Sequence, residues 1–326
     1  ALKKLKSPED LGGCHVYVSL EPCAHQGRTP SCAKTLAPLK PASVTYAVED
    51  PNPLVAGKGA AILREAGIRT ELLANRTDIT DRAALYAEAE ELAEIFLHVH
   101  RTGTPFVAVK VATSLDGQMA MSSGESKWVT GEAAREHVHL VRAQYDAVAI
   151  GHTTFLTDEP SLNVRHAKFP SYSNKAVLFD VAGLSFEKLA KSKLASVRPP
   201  ENIIVVTGED VPKTSTSFRQ LKVRRDGEGN FEMKMLLEGL KAEGLSSLLV
   251  EGGSYTYARF FQANAVQRLH VYIAPILIGG RHAMSWAQHF GGTKLSEKIE
   301  LQNVRRAEFG PDQYWTARIG SGSDPR

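Results

Sequence analysis

The spacing of hydrophobic residues in the first hundred positions predicts strands that alternate with helices. Val16, Val18 and Leu20 lie two residues apart within 14–20, which is typical of a half-buried strand. The following pattern predicts a strand, a helix, a short strand and a long helix, at residues 42–50, 57–68, 69–73 and 79–100. The apolar stripe of the long helix consists of Leu85, Leu92, Ile95, Phe96 and Val99.

A break follows the long helix, because Gly103 and Pro105 interrupt its pattern. We therefore expect a domain boundary here. The predicted parts of the chain are a domain at 1–100, a domain at 101–320 and a disordered tail at 321–326. Residues 1–10 are similar to the end of an amphipathic helix with no capping residue before it, so we expect the chain to begin inside an element.

The second half of the chain continues the alternation. Its predicted strands are 106–114, 147–151, 175–180, 202–208, 221–225, 246–253, 268–279 and 312–320, and its predicted helices are 131–145, 231–244 and 254–263. Alternating strands and helices are typical of α/β domains. The sequence therefore predicts the α/β class for both halves.

Composition narrows the classes of function. A net charge of +3 over 326 residues is too small for a strongly basic nucleic-acid surface. No apolar run reaches the roughly 18 residues that span a bilayer, and because residues 1–10 lack a secretory pattern we expect no signal peptide. Three cysteines are too few for a disulfide framework. We expect a cytoplasmic protein that acts on a small molecule, without nucleic-acid or membrane partners.

Two cysteines, Cys23 and Cys32, flank a basic loop that follows the first strand. A catalytic zinc ion takes three protein ligands and a water molecule, and two thiolates could supply two of the ligands. The spacing alone does not separate a metal site from two ordinary cysteines. Cys14 has no motif around it and is expected to be a small core residue.

The stretch SLEPCAHQGRTPSCA at 19–33, followed by DPNPLVAGKGAAILREAGI at 50–68, resembles the deaminase domain of bifunctional riboflavin-biosynthesis deaminase/reductases. That resemblance implies a cytidine-deaminase-like zinc domain in which Cys23 and Cys32 bind Zn²⁺. It assigns contacts to a phosphorylated aminopyrimidine substrate to His25, Arg28, Thr29 and Asn52. Two of these residues have simpler alternatives, a solvated loop arginine for Arg28 and a turn residue for Asn52.

The resemblance also implies an H-A-E motif, which would supply the third zinc ligand and the catalytic glutamate. The family pattern puts this motif immediately before Ala1, and the chain as given does not contain it. Deamination requires both a metal-bound water and a proton shuttle. We therefore expect a truncated, N-terminally incomplete deaminase domain, inactive unless the missing segment is present in the intact protein.

Four later stretches, at residues 110–130, 140–165, 248–260 and 272–280, resemble the reductase half of the same family. With the deaminase stretch, the resemblance covers nearly the whole chain. It implies a dihydrofolate-reductase-like α/β domain that uses NADPH and forms a homo-oligomer, either a dimer or a tetramer.

The Gly252–Gly253 pair, after a strand and before a helix, is a candidate anion site. Backbone N–H groups at a helix start attract phosphate, and glycine permits close approach, although an ordinary tight turn has the same pattern. The motif is not G-x-G-x-x-G, which argues against a Rossmann domain. The resemblance assigns cofactor contacts to Ala112, Trp128, Thr154, Asp158, Gly253, Ser254, Tyr255 and Thr256. Trp128 could instead be a core residue.

Substrate contacts in this half carry over to Ser126, Arg142, Leu162, Arg165 and Glu251. Arg142 and Arg165 are expected to converge on one phosphate, although Arg142 alone is also typical of a solvated helix face. Lys110 lies within an apolar strand, which is unexpected for an unpaired charge. The candidate catalytic groups are Lys110, Asp158 and Glu251, and the sequence does not rank them. Asp116 is expected to be a turn residue.

The implied reaction is the NADPH-dependent reduction of the ribosyl chain of 5-amino-6-(5-phosphoribosylamino)uracil to the ribityl form. In the intact protein it would be accompanied by zinc-dependent deamination of the diaminopyrimidine precursor. Two alternatives stay open at this point. One is a reductase with a structural deaminase remnant, and the other is a non-enzymatic nucleotide-binding regulator.

Overall fold

The computed structural model describes residues 11–26, 30–52, 55–170 and 172–320. The chain divides into two compact units, of which the first ends at Gly103 and the second begins at Thr104. Four predictions lie outside the described residues: the helix end at 1–10, the roles of Arg28 and Thr29, and the tail at 321–326.

The first unit alternates strands and helices, as its sequence predicts. Its elements are β1 (His15–Leu20), α1 (Cys32–Leu36), β2 (Ser43–Val48), α2 (Lys58–Glu65), β3 (Arg69–Leu72), α3 (Arg82–Leu92) and α4 (Glu94–Thr102). In the described part of this unit, the strands form a parallel sheet in the order β1-β2-β3. β2, the central strand, is buried along its whole length, and residues of the helices pack against it.

Two expectations for this unit are wrong. The predicted long helix is two helices that meet at Ala93, so residues before and after the break do not share one face. Leu92 is consequently 83% exposed, whereas Val99 is buried as predicted, together with Ala89 and Leu97. Cys14 is exposed and directly precedes β1, so it is not a core residue.

The second unit is larger and also α/β. Its strands are β4 (Phe106–Ser114), β5 (Gln118–Ala120), β6 (Ala147–Gly151), β7 (Lys175–Phe179), β8 (Ile203–Gly208), β9 (Arg219–Val223), β10 (Ser247–Val250), β11 (Arg268–Ala274), β12 (Met284–Ser285), β13 (Leu301–Phe309) and β14 (Asp312–Ile319). Its helices are α5 (Glu132–Arg142), α6 (His152–Asp158), α7 (Phe186–Ala190), α8 (Lys193–Ser196), α9 (Met233–Ala242) and α10 (Ser254–Gln262).

The main sheet of this unit has nine strands within the described residues, in the order β13-β14-β11-β4-β10-β6-β7-β8-β9. The strands from β11 to β9 pair in parallel, whereas β14 and β13 add an antiparallel edge. The central strands are apolar on both faces because helices cover the sheet. Ligands of such sheets bind at the carboxyl ends of the parallel strands, so this edge is where a site is expected.

Several element limits differ from the sequence prediction. β11 ends at Ala274 instead of continuing to residue 279. β13 was not predicted because eight of its nine residues are exposed, which removes any alternation of apolar and polar positions. The predicted α/β class itself is confirmed. Among the described residues, no helix combines the length and the apolar character that crossing a membrane requires.

Candidate functional site

Three charged side chains meet at the carboxyl edge of the main sheet. Glu251 accepts two hydrogen bonds from Arg142, from Nε to Oε1 at 2.6 Å and from Nη2 to Oε2 at 2.9 Å. The Nζ of Lys110 lies 3.1 Å from Oε2 of the same carboxylate. The side chains of Lys110, Arg142 and Glu251 are 14%, 13% and 4% exposed. We refer to these three residues as the charged trio.

The main chain fixes each member of the charged trio. Lys110 lies within β4, Arg142 is the last residue of α5, and Glu251 follows the end of β10. The N–H of Glu251 still donates to the carbonyl of Ala149 on the neighbouring strand, at 2.8 Å. The carbonyl of Lys110 lies one residue beyond the last pairing with β10 and accepts from the hydroxyl of Tyr257, at 2.8 Å. β4 therefore places Lys110 just beyond the end of its pairing with β10, close to Glu251.

The charges of the trio compensate one another. Burial alone would raise the pKa of Glu251, but the nearby charges of Arg142 and Lys110 outweigh it and lower that pKa to about 2. Burial opposes the charged form of Arg142 as well, yet the Glu251 carboxylate raises the pKa of its guanidinium. Glu251 is therefore an anion at neutral pH, and it is the partner of the Lys110 charge within the apolar strand.

A loop at 161–165 lies beside the charged trio. The carbonyl of Asn163 accepts from Nη1 of Arg142 and is also 3.1 Å from Nδ1 of His139. Nη1 of Arg165 donates to Ser161 Oγ at 2.9 Å and to Asn163 Oδ1 at 3.2 Å. The structure thus brings Arg142 and Arg165 to the same loop, and their convergence on one phosphate stays a prediction.

Two details of this loop bear on its chemistry. Leu162 is buried with a backbone φ of 53°, a conformation that costs energy for a residue other than glycine. His139 is half-buried, and burial together with the charges of Arg142 and Arg165 lowers its pKa to about 4. His139 is therefore neutral at physiological pH, and the loop has a positive electrostatic environment.

The Gly252–Gly253 turn forms a narrow cradle before α10. A Cβ atom at Gly252 would lie 3.2 Å from Thr154 Oγ1 and 3.1 Å from Ile150 Cγ2, and Gly253 has a φ of +63°. No side chain caps the first turn of α10. A Cβ atom at Gly151 would lie only 2.7 Å from Thr256 Oγ1. The glycines therefore let uncapped N–H groups and two threonine hydroxyls come together, which suits a phosphate.

The other residues assigned to the cofactor are more scattered. Ala112 is a partly buried residue of β4, and Ser254 is buried at the start of α10. Trp128 is 71% exposed and stacks on Arg135, whose guanidinium carbon lies 4.7 Å from the ring centroid, so the core alternative is wrong. Tyr255 is exposed and donates to Asn230 at 2.9 Å.

Two further assigned residues do not join the charged trio. Asp158 ends α6, and its backbone carbonyl accepts from Lys127 Nζ at 3.2 Å, whereas no described hydrogen bond or ion pair links its carboxylate to the trio. Ser126 lies in the loop before α5. Asp116 is a turn residue, as expected, and its carboxylate accepts from the N–H groups of Ile278 and Gly279 at 3.1 and 2.7 Å.

In the first unit, Cys23 and Cys32 lie side by side. The N–H of Cys32 donates to Cys23 Sγ at 3.3 Å, and both cysteines are free. Burial and the neighbouring Cys23 raise the pKa of the Cys32 thiol. His25 is exposed, and the N–H of Asn52 donates to Asp50 Oδ1 at 2.9 Å within a turn. Among the described residues, no group of three or more His, Cys, Asp or Glu side chains could hold a metal ion.

Several residues at the site escaped sequence reasoning. His139 lies one helical turn before Arg142, a spacing that could have indicated it. Asn163, Tyr257 and Arg198 carry no motif, because their contacts join segments far apart in the chain. Only the folded chain reveals them.

Comparisons with known proteins agree with this architecture. The family described as RibD C-terminal domain matches residues 105–313. The riboflavin biosynthesis protein RibD of Bacillus amyloliquefaciens is 37% identical over 320 residues, which are 96% of this chain and 81% of that protein.

Solved structures give the same result. The structure of Acinetobacter baumannii RibD has a TM-score of 0.79 and 31% identity, and the match covers 98% of this chain and 84% of that one. A Thermotoga maritima diaminohydroxyphosphoribosylaminopyrimidine deaminase/5-amino-6-(5-phosphoribosylamino)uracil reductase has a TM-score of 0.76 and 26% identity, covering 95% and 81%. The chain therefore belongs to the RibD family of riboflavin biosynthesis proteins and carries the reductase domain of that family.

Proposed function

We propose that the second unit reduces 5-amino-6-(5-phosphoribosylamino)uracil to the ribityl form with NADPH. The observation that carries the proposal is the charged trio, a buried lysine, carboxylate and arginine at the sheet edge beside the glycine cradle. An enzyme that acts on a phosphorylated sugar needs a proton-handling group next to a cofactor site, and the trio supplies one.

The glycine cradle fits a dinucleotide phosphate. The uncapped N–H groups at the start of α10 and the hydroxyls of Thr154 and Thr256 are donors that a phosphate accepts from. The exposed ring of Trp128 could cover a flat ring of the cofactor. When bound, NADPH supplies a hydride.

The trio also suggests how its members divide the work. In the proposed reaction the C1′–O4′ bond breaks, the N–H proton moves to O4′, and C1′ becomes double-bonded to nitrogen. Hydride then adds to C1′ and a proton is taken up at nitrogen. Glu251 cannot act as the acid at neutral pH, because Arg142 and Lys110 lower its pKa to about 2. Lys110 donates one N–H to Glu251, and because an ammonium group has three N–H bonds it can also donate to a substrate. Lys110 is therefore our candidate proton donor, and Glu251 orients it.

The remaining assignments concern the phosphate end of the substrate and the cofactor. Arg142, Leu162 and Arg165 would hold the 5′-phosphate through the loop at 161–165, where two guanidinium groups share Asn163. Asp158 is assigned to the cofactor or its ribose, away from the proton transfer. Ser126 would contact the substrate.

The direct test is to follow NADPH oxidation with the deaminated pyrimidine phosphate as substrate. We expect turnover that depends on the 5′-phosphate, so the dephosphorylated compound serves as the control. NADPH binding without turnover would contradict the proposal and favour the non-enzymatic nucleotide-binding regulator.

Deamination is a separate question. Cys23 and Cys32 provide two adjacent thiols, but the described residues do not complete a zinc site, and no deamination step follows from them. Zinc content together with ammonia release from the diaminopyrimidine precursor separates a bifunctional enzyme from a reductase with a structural remnant. Assembly into a dimer or tetramer through the second unit stays a prediction, which sedimentation would test.

A further inference from the structure

A buried arginine lies beneath the loop at 161–165, and nothing above assigns it a role. Arg198 is 6% exposed and follows α8. Its Nη1 donates to the carbonyl of Ser161 at 2.8 Å, and its Nε to the carbonyl of Asn174 at 3.3 Å. Nη1 also donates to the carbonyl of Leu194 at 3.3 Å. All of these acceptors are neutral.

Asn174 completes the support of the same loop. It is 1% exposed, and its Nδ2 donates to the carbonyl of Leu162 at 3.1 Å. Its Oδ1 accepts from Nη2 of Arg198 at 3.4 Å. The loop is therefore held from one side by Arg142 through Asn163, and from the other by Arg198 and Asn174 through two successive carbonyls.

The charges around this loop do not balance. Among the described residues, neither Arg165 nor Arg198 lies within ion-pair distance of a carboxylate, whereas Lys110 and Arg142 share Glu251. Arg165 is exposed to solvent, so Arg198 is the buried cation of this group that has no carboxylate partner. Burying a cation without an anionic partner is costly, and an anion bound at the loop would offset part of that cost.

The pKa values of Arg198 and His139 reflect this positive charge. Burial, and then the charge of Arg142, lower the pKa of Arg198 to about 10, which leaves it protonated at neutral pH. His139 is held neutral by burial and by the same cluster of arginines. Both shifts reflect burial and the positive charge of the neighbouring arginines, and it is this charge that favours the approach of an anion.

We propose that Arg198 is a positioning residue for the phosphate end of the substrate, because it holds the backbone of the loop at 161–165 and adds positive charge beneath it. This inference rests on the proposed function. Arg198 acts through Ser161 and Asn174 and does not itself touch the substrate. It thus differs from Arg142 and Arg165, which are assigned to the phosphate itself.

The test compares Arg198→Lys and Arg198→Gln with the unchanged chain. Lysine keeps the charge but loses the forked hydrogen bonds, and glutamine loses both. We expect the KM for the pyrimidine phosphate to rise about tenfold in the lysine variant and further in the glutamine variant. The kcat and the Kd for NADPH should change by less than about twofold. Arg219→Gln is the matched control. Arg219 lies at the start of the edge strand β9 and pairs with Glu243, which follows α9.

A second measurement separates this inference from the proposed function. Calorimetry with ribose 5-phosphate, and with ribose as its control, measures phosphate affinity without turnover. If the Arg198 variants lose affinity for ribose 5-phosphate and the unchanged chain shows no turnover, the role of Arg198 in the anion site is supported and the proposed reductase activity is rejected. Turnover by the unchanged chain, with KM and phosphate affinity unaltered in the folded lysine variant, would overturn the role of Arg198. If Arg198 had a purely structural role, its variants would be less stable, but the ratio of the KM for the pyrimidine phosphate to the KM for NADPH would not change.

Discussion

Arg142 and Glu251 form a buried two-point ion pair between residues 109 positions apart in the chain. The pair joins the end of α5 to the loop that follows β10, and Lys110 adds a third charge from β4. Because both partners are almost fully withdrawn from solvent, each depends on the other for its charge. The pair thus links the stability of the second unit to the chemistry proposed for it.

Removing the central carboxylate should be costly. Glu251→Gln leaves the cations of Lys110 and Arg142 without an anion, so we expect the free energy of unfolding to fall by about 3–5 kcal/mol and reduction to be lost. All three tryptophans, Trp128, Trp286 and Trp315, lie in the second unit, so their fluorescence reports the unfolding of that unit.

The control for this prediction is Glu232→Gln. Its partner Arg224 is mostly exposed, and a pair of this kind contributes about 0–1 kcal/mol. Equal losses of stability in the two variants would contradict the central position of Glu251.

The phosphate assignment predicts a selective defect. Arg165→Ala removes one guanidinium from the loop at 161–165, so we expect the KM for the pyrimidine phosphate to rise by about tenfold or more. The Kd for NADPH, measured by fluorescence titration, should be nearly unchanged. A matching loss of NADPH affinity would show that Arg165 belongs to the cofactor site instead, and Arg219→Ala provides the surface control.

A buried histidine should make the second unit sensitive to acid. His270 lies between the hydroxyls of Tyr145 and Tyr314, at 2.8 and 2.7 Å, and burial lowers its pKa from 6.5 to about 3. Its pKa in the folded state is below that of the unfolded chain. Its neutral form therefore contributes stability that is complete above pH 6.5 and is lost as the pH falls towards 3.

The measurement is tryptophan fluorescence during denaturant unfolding at about pH 7.5 and about pH 5. Between these values His270 should account for a loss of about 2 kcal/mol, and His270→Gln should abolish that part. His282→Gln, at an exposed position, should leave the pH dependence intact. The same slope in both variants and the unchanged chain would rule out His270 as its source.

The two thiols of the first unit should be dispensable for reduction. Cys32→Ser disrupts the pair with Cys23, but every residue assigned to NADPH and to reduction lies in the second unit. We expect unchanged NADPH oxidation and the loss of any bound zinc, which elemental analysis would detect, with Cys14→Ser as the control. A drop in reduction in the Cys32 variant alone would instead reveal coupling between the two units.

Local patterns were sufficient for most of the elements. The apolar run of β4 and the periodicity of α5 and α10 predicted elements within a few residues of their observed limits, because burial imposes a spacing that the sequence displays. The family resemblance likewise pointed to Lys110 and Arg142, and the fold confirms the α/β class and the reductase domain. Patterns failed at β13, whose residues are nearly all exposed, and at Ala93, where one periodic stretch is split into two helices.

The sequence by itself determined the α/β class, the family and most of the candidate site residues, since these depend on residue types and on spacing along the chain. Only the tertiary structure decided which charges compensate one another. It paired Lys110 and Arg142 with Glu251, and it buried Arg198 against neutral carbonyls. The physical reason is that hydrogen bonding and desolvation act between atoms a few ångströms apart, and the fold alone brings residues from distant segments within that range.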